Sequence, residues 1–273
     1  MRLFLILLLI VCVLYGGALA ALYFKQRQLL YFPDPQRVSP ADIGLAQFSV
    51  EELQTPDGET LIAWYAEAQN GLPTLLRFHG NASTVDYEAK ILSHYLDHGY
   101  GLMILSYRGF AGSTGSPSED GLILDGLTAY DALAAKGVPP EQVIVSGHSL
   151  GAGIVVQIAA RRPVRAAILV SPFTAASDVA QERYPWVPVS LLMKDQYRSR
   201  EQIGKITAPI LIIHGTQDQT IPVAHGERLF ALANEPKELA ILEGAGHANL
   251  MDYGSEERAL AFLSDLVAAK AAE

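Results

Sequence analysis

The feature that most constrains this chain is a rhythm that sets in near residue 74. Short apolar runs at 74–78, 102–106, 143–145, 166–170, 210–213 and 238–242 alternate with helical stretches at 84–98, 119–136, 150–162, 222–233 and 255–270. Stop signals fall where the alternation needs them, at Gly99, Gly137 and Pro163. Strands apolar on both faces need cover on both faces, and strand–helix–strand crossovers supply it. The pattern therefore predicts an α/β fold with a mostly parallel sheet between two layers of helices. Ahead of it, 47–53 and 60–67 are strand-like and flank Pro56-Asp57-Gly58, a hairpin signal, which brings the expected sheet to eight strands.

Ligands of such sheets bind at the carboxyl ends of the strands. After the 143–145 run comes Gly147-His148-Ser149-Leu150-Gly151, a Gly-x-Ser-x-Gly pattern between an apolar strand and a helix. That placement marks a nucleophile elbow, a turn too sharp for side chains on its flanking positions; a plain strand–turn–helix with a serine cap is the simpler alternative. A serine hydroxyl needs a base, and the base an orienting acid. Asp218 follows the 210–213 strand, and His247 lies on the Gly-rich loop after 238–242. The order Ser149, Asp218, His247 is the one this arrangement requires. The oxyanion donors are expected to be the backbone N–H groups of Leu150, after the nucleophile, and Asn81, in the loop after the third strand.

Other polar residues carry quieter readings. His214 is expected to satisfy backbone groups beneath the site, His79 to shape its loop, and His225 to face solvent. His94 and His98 stand four apart on an expected helix, but no Glu accompanies them, so no metal site is predicted. Asp195 and Asp252 are rival acids, less well placed than Asp218. The loop at 109–115 lacks a phosphate-binding pattern and reads as a solvated turn. One cysteine, Cys12, excludes intrachain disulfides and cysteine-based metal clusters, and a net charge of −9 without a basic run argues against nucleic acid.

The stretches Phe78-His79-Gly80-Asn81, Tyr107-Arg108-Gly109-Phe110-Ala111-Gly112-Ser113, Gly147-His148-Ser149-Leu150-Gly151, His214-Gly215-x-x-Asp218 and Gly246-His247 together resemble the α/β-hydrolase superfamily over residues 47–270. The apolar start followed by Leu30-Tyr31-Phe32-Pro33 is similar to its small membrane-anchored members, in the serine aminopeptidase-like and monoacylglycerol-lipase-like branch. The resemblance implies Ser149 as nucleophile, His247 as base and acid, and Asp218 as its orienter, with Asn81 and Leu150 donating to the oxyanion. Eukaryotic members of the anchored group look like protein depalmitoylases, which extends the expected substrates to thioesters. The irregular segment 172–206 falls where this superfamily inserts a cap. Tyr184-Pro185-Trp186-Val187-Pro188 and Leu191-Leu192-Met193 either line an acyl pocket or pack on the body.

Residues 3–24 form an uncharged apolar run of 22, about 33 Å as a helix and enough to cross a bilayer. A retained anchor (1–24) is one reading; a signal peptide cut after Ala18-Leu19-Ala20 is the other. Residues 25–46 read as a linker packing on a domain at 47–273. The expectation is thus a serine hydrolase of acyl esters, thioesters or lipid-like molecules, attached to a membrane through its N-terminal helix and needing no cofactor. A peptidase using the same triad, with Asp178, Glu182 or Asp195 holding a substrate amine, is the alternative. A non-catalytic binding module on the same fold is the third.

Overall fold

The computed structural model describes residues 1–271; 272–273, the last two of the expected domain, lie outside the described residues. Eight strands form one sheet: β1 (Ser49–Gln54), β2 (Thr60–Ala66), β3 (Thr74–Phe78), β4 (Gly101–Ser106), β5 (Val143–His148), β6 (Ala166–Val170), β7 (Ile210–Gly215) and β8 (Lys237–Leu242). Their order is β1-β2-β4-β3-β5-β6-β7-β8, with only β2 running against the rest. Central strands β3, β4, β6 and β7 are buried along their whole length, whereas β1 and β8 alternate with exposed positions, as edge strands do.

The pleat sends alternate residues to two separate cores. Leu76, Phe78, Val145, Leu169 and Ile212 pack against helices α4 (Glu119–Ala135), α5 (Leu150–Ala159) and α8 (Ala224–Leu232). Leu75, Ile104, Ile144, Ile168 and Ile213 pack against α2 (Val85–Leu92), α3 (His94–Asp97) and α9 (Ser255–Ala271). All ten residues of α5 are buried.

Several boundaries differ from the sequence reading. The 84–98 stretch breaks at Ser93 into α2 and α3, and His94 turns its Nδ1 back to the Ile91 carbonyl. Helix α1 (Arg2–Leu30) does not end at Phe24. Residues 25–30, expected to begin the linker, are its last turns, because Lys25-Gln26-Arg27-Gln28 are good helix formers and the first proline waits until Pro33. From there α1 reaches the segment 172–206. Tyr15 donates to the Trp186 carbonyl, Gln26 to that of Leu192, and Arg27 forks onto Asp195 at 2.8 and 3.1 Å. That segment holds α6 (Ala176–Arg183) and α7 (Val189–Leu192).

The 109–115 loop is partly solvated, with Gly112, Thr114 and Gly115 exposed, and is also pinned. Ser113 Oγ accepts from the Ile62 N–H and donates to the Ser106 carbonyl, Thr114 Oγ1 accepts from the Thr60 N–H, and Phe110 is buried. At its start Arg108, almost fully buried, bonds both Asp125 of α4 and Asp57 of the β1–β2 turn. The Arg108 guanidinium and the Thr55 hydroxyl hold the Asp57 carboxyl down at about 2. A carboxyl held low stabilises the folded chain above the ordinary carboxylate range and loses that contribution as pH falls toward its folded value. Asp57→Asn is therefore expected to flatten the decline of Tm between about pH 4 and pH 2. A calorimetric pH series checks this, and an unchanged slope would contradict the pairing.

Candidate active site

Strand β5 ends and α5 begins with one residue between them, Ser149. Its backbone sits at φ 55°, ψ −116°, a left-handed conformation that costs a non-glycine residue about 1–3 kcal/mol. Two glycines permit the crossing. A Cβ on Gly147 would lie 2.4 Å from the Gly151 carbonyl, and one on Gly151 would lie 2.0 Å from the Phe78 carbonyl oxygen. The turn is tied down by the Ser149 N–H, which donates to the Val170 carbonyl at 2.9 Å. The strained backbone thus lifts a hydroxyl off the carboxyl edge of the sheet.

The three residues expected to act together do meet. His247 Nε2 lies 3.1 Å from Ser149 Oγ, and His247 Nδ1 lies 2.7 Å from Asp218 Oδ2. With Asp218 ionised, Nδ1–H donates to it and Nε2 is left to accept from the serine. Asp218 Oδ1 accepts from the N–H groups of Thr220 and Ile221, at 2.9 and 2.8 Å. Burial pushes the Asp218 carboxyl up. Hydrogen bonds from His214 and His247 and from the Ile221 N–H outweigh it and hold the group well below the usual carboxylate range. The His247 loop can come this close because Gly215 has no side chain: a Cβ there would lie 2.3 Å from the Ala245 carbonyl oxygen.

The Asn81 loop crosses over the elbow, with a Cβ on Gly80 falling 3.9 Å from that of Ser149. The Leu150 N–H, in the first turn of α5, has no intrahelical acceptor. Tyr107 steadies this loop by donating to the His79 carbonyl at 2.9 Å, and His79 bonds the Gly80 carbonyl.

A family model described as alpha/beta hydrolase fold matches residues 73–201. An uncharacterized protein of Mycobacterium tuberculosis is 37% identical over 243 residues, covering 87% of this chain and 86% of its own length. The chain belongs to the α/β-hydrolase superfamily. Alpha/beta hydrolase domain-containing protein 17B of Xenopus tropicalis is 38% identical over 190 residues, covering 68% of this chain and 64% of its own. The Pyrococcus furiosus esterase Pf2001 shares the fold at TM-score 0.69 and 19% identity, over 86% of this chain and 96% of its own.

Two cavities open on either side of Ser149 in this α/β-hydrolase. One, of about 450 Å³, has Arg77, Glu88 and Glu256 in its wall together with His148. The other, of about 540 Å³, lies under the cap segment and is bounded by Phe173, Ala180, Tyr184 and Met193 with Leu29 and Leu30 of α1. The cap residues therefore divide: Tyr184 and Met193 face the cavity, while Val187 and Val189 are buried and Trp186 stays exposed.

Some of the polar support was not legible. Arg77, inside the apolar run 74–78, is buried and bonds Glu88 and Ser146 at 2.8 and 2.9 Å. His148 donates from Nε2 to the His247 carbonyl at 3.0 Å, and burial beside His247 pushes its imidazole down to about 4, so it is neutral near pH 7. His214 does bond backbone, the Ile221 carbonyl at 2.8 Å, and also stands 3.4 Å from Asp218. His225 is not solvent-facing but fully buried, contacting Thr174 and Glu182, because α8 turns His225, Gly226 and Leu229 inward. Asp195 is occupied by Arg27 and the Glu119 N–H, and Asp252 lies on an exposed turn.

Gly151→Ala is expected to lower stability by about 3 kcal/mol through overpacking at the Phe78 carbonyl. That is a fall in Tm of roughly 6–12 °C. Gly204→Ala, where a Cβ meets nothing nearer than 3.6 Å, serves as the control in the same thermal melts. Equal melting of both variants would contradict the close crossing.

Proposed function

We propose that this protein is a serine hydrolase that cleaves carboxylic esters or thioesters of acyl or lipid-like substrates. The observation that carries the reading is the unbroken chain Asp218–His247–Ser149, ending on a serine in a strained turn. Ser149 Oγ attacks the acyl carbonyl carbon as His247 Nε2 takes the hydroxyl proton. Asp218 stabilises the imidazolium and keeps its orientation. The N–H groups of Asn81 and Leu150 receive the developing oxyanion. Collapse breaks the bond to the alcohol or thiol, which leaves with the proton from His247. Water then attacks the acyl-enzyme, with His247 as base, and releases the acid and free Ser149. No cofactor enters this sequence.

The peptidase alternative needs an unpaired carboxylate for a substrate amine. Of its three candidates, Asp178 pairs with Arg200, Asp195 with Arg27, and Glu182 lies 3.6 Å from Arg228 and 3.3 Å from His225. That occupancy favours ester and thioester cleavage. It equally speaks for an enzyme over a binding module that the base, acid and nucleophile are all within bonding reach.

Helix α1 is long and apolar enough to cross a membrane. We read it as a retained single-pass anchor that holds the α/β-hydrolase domain, about residues 47–273, against the bilayer. Of its bonds to the cap, that of Tyr15 would be lost with a signal peptide cut after Ala20, and the helix runs unbroken across that site to Leu30, which supports retention.

Ser149→Ala is expected to lower kcat on p-nitrophenyl esters by on the order of a millionfold. Asp218→Asn, which leaves the shape but disfavours the working tautomer, is expected to lower it by about ten-thousandfold. Steady-state kinetics check both, alongside aminoacyl amides. Unchanged ester hydrolysis in Ser149→Ala, or faster turnover of the amides by the wild type, would overturn the reading.

A further inference from the structure

We propose that an apolar groove running from Ser149 between the cap and the last turns of α1 is the acyl-chain subsite. Its occupant is the hydrocarbon tail of an ester drawn from the bilayer in which α1 sits. This rests on the serine-hydrolase reading above and adds to it which side of the serine the tail takes, and that the anchor forms part of the binding site.

The cavity under the cap adjoins a second hollow of about 180 Å³ between α1 and the cap. Leu29, Leu30, Ala180, Tyr184 and Met193 border both. From the anchor, the groove takes Leu22, Tyr23, Gln26, Leu29 and Leu30, spaced as one face of a helix. From Leu30 to Leu22 the helix rises about 12 Å, a run that an extended acyl chain of medium length covers. The single amide in this wall is already satisfied: Gln26 donates to the Tyr23 and Leu192 carbonyls and accepts from the Lys194 N–H. The cavity nearer Ser149 carries Glu182 and Arg183 in its wall, and the hollow along α1 carries no charged side chain, so the charge-free stretch is the one beside the anchor.

The opposite cavity carries charge where the hollow between α1 and the cap carries none. Its wall includes the buried ion pair Arg77–Glu88 and the carboxylate of Glu256. A polar leaving group fits that side, and the tail falls to the other.

The surface around the far end of the groove points to the source. Leu191 is 84% exposed and Trp186 54%, and the Tyr15 hydroxyl of α1 bonds the Trp186 carbonyl at 2.8 Å. Tyr15 lies nine residues inside the end of the apolar run, about 13 Å along the helix, so the exposed Trp186 and Leu191 turn lies alongside the apolar run and faces lipid with it. The cap thus dips to the level of the lipid, and a tail reaches Ser149 along the anchor without crossing water.

The test uses the full chain in phosphatidylcholine vesicles. It compares kcat/KM for p-nitrophenyl palmitate with that for the butyrate, per active site titrated by a fluorophosphonate. Leu22→Trp fills the groove from the anchor, and Ala180→Trp fills its junction from the cap. Each is expected to lower the palmitate-to-butyrate ratio by about tenfold, the loss of a few buried methylenes. Phe24→Trp, on a residue outside the groove and 80% exposed, is expected to leave the ratio unchanged. An unchanged ratio in Leu22→Trp, or an equal fall in Phe24→Trp, overturns the subsite while leaving the hydrolase reading intact. Wild-type protein that turns over neither ester overturns both.

Discussion

The approach of α5 to the end of β3 is the constraint on which the site depends. Gly151 passes so near the Phe78 carbonyl that a single methyl group would have to displace strand or helix. Because it is allowed through, Ser149 sits in a strained turn at the sheet's edge, directly above a helix that is buried throughout. The same crossing sets the Leu150 N–H beside the loop that carries Asn81. Strain of about 1–3 kcal/mol persists only where the surroundings over-determine it. Here the β5 pairings Phe78↔Gly147 and His148↔Val170 clamp the turn from both neighbouring strands.

Around that point the triad's own polar groups are matched. Asp218 accepts two backbone N–H bonds and a third from His247 Nδ1–H, so it remains ionised and the imidazole keeps one orientation. His148, neutral near pH 7, braces the His247 backbone without adding a second positive charge beside it. The anchor joins the same network. Asn81 donates its side-chain amide to the Leu30 carbonyl at the end of α1, and its own carbonyl accepts from the Phe32 N–H. Tyr31 and Tyr197 bond hydroxyl to hydroxyl beneath the cap. The loop proposed to carry an oxyanion donor is thereby built on the foot of the apolar helix.

Much of this was legible in the residues. The strand–helix alternation reported the sheet because buried parallel strands must be apolar on both faces, and Gly-x-Ser-x-Gly reported the elbow because only glycine fits beside it. Asp218 and His247 were legible from their places at strand ends. What escaped was set by tertiary context. Strand β5 runs on through Ser146-Gly147-His148 because its neighbours supply ladder partners whatever the side chains are. Arg77 and Glu88 are buried as a pair, and an ion pair formed between a strand and a helix leaves no periodic mark in either. His225 faces inward because α8 is seen from two sides, the sheet and the cap, and a single-helix reading sees only one.

The central claim is that Ser149, and no other serine, is an activated nucleophile. It is tested most directly by treating the intact protein in vesicles with a fluorophosphonate and mapping the adduct by peptide mass spectrometry. The account predicts one stoichiometric adduct, on the peptide that carries Ser149 at the start of α5. An adduct on a different residue, or none on protein that melts cooperatively, would contradict it.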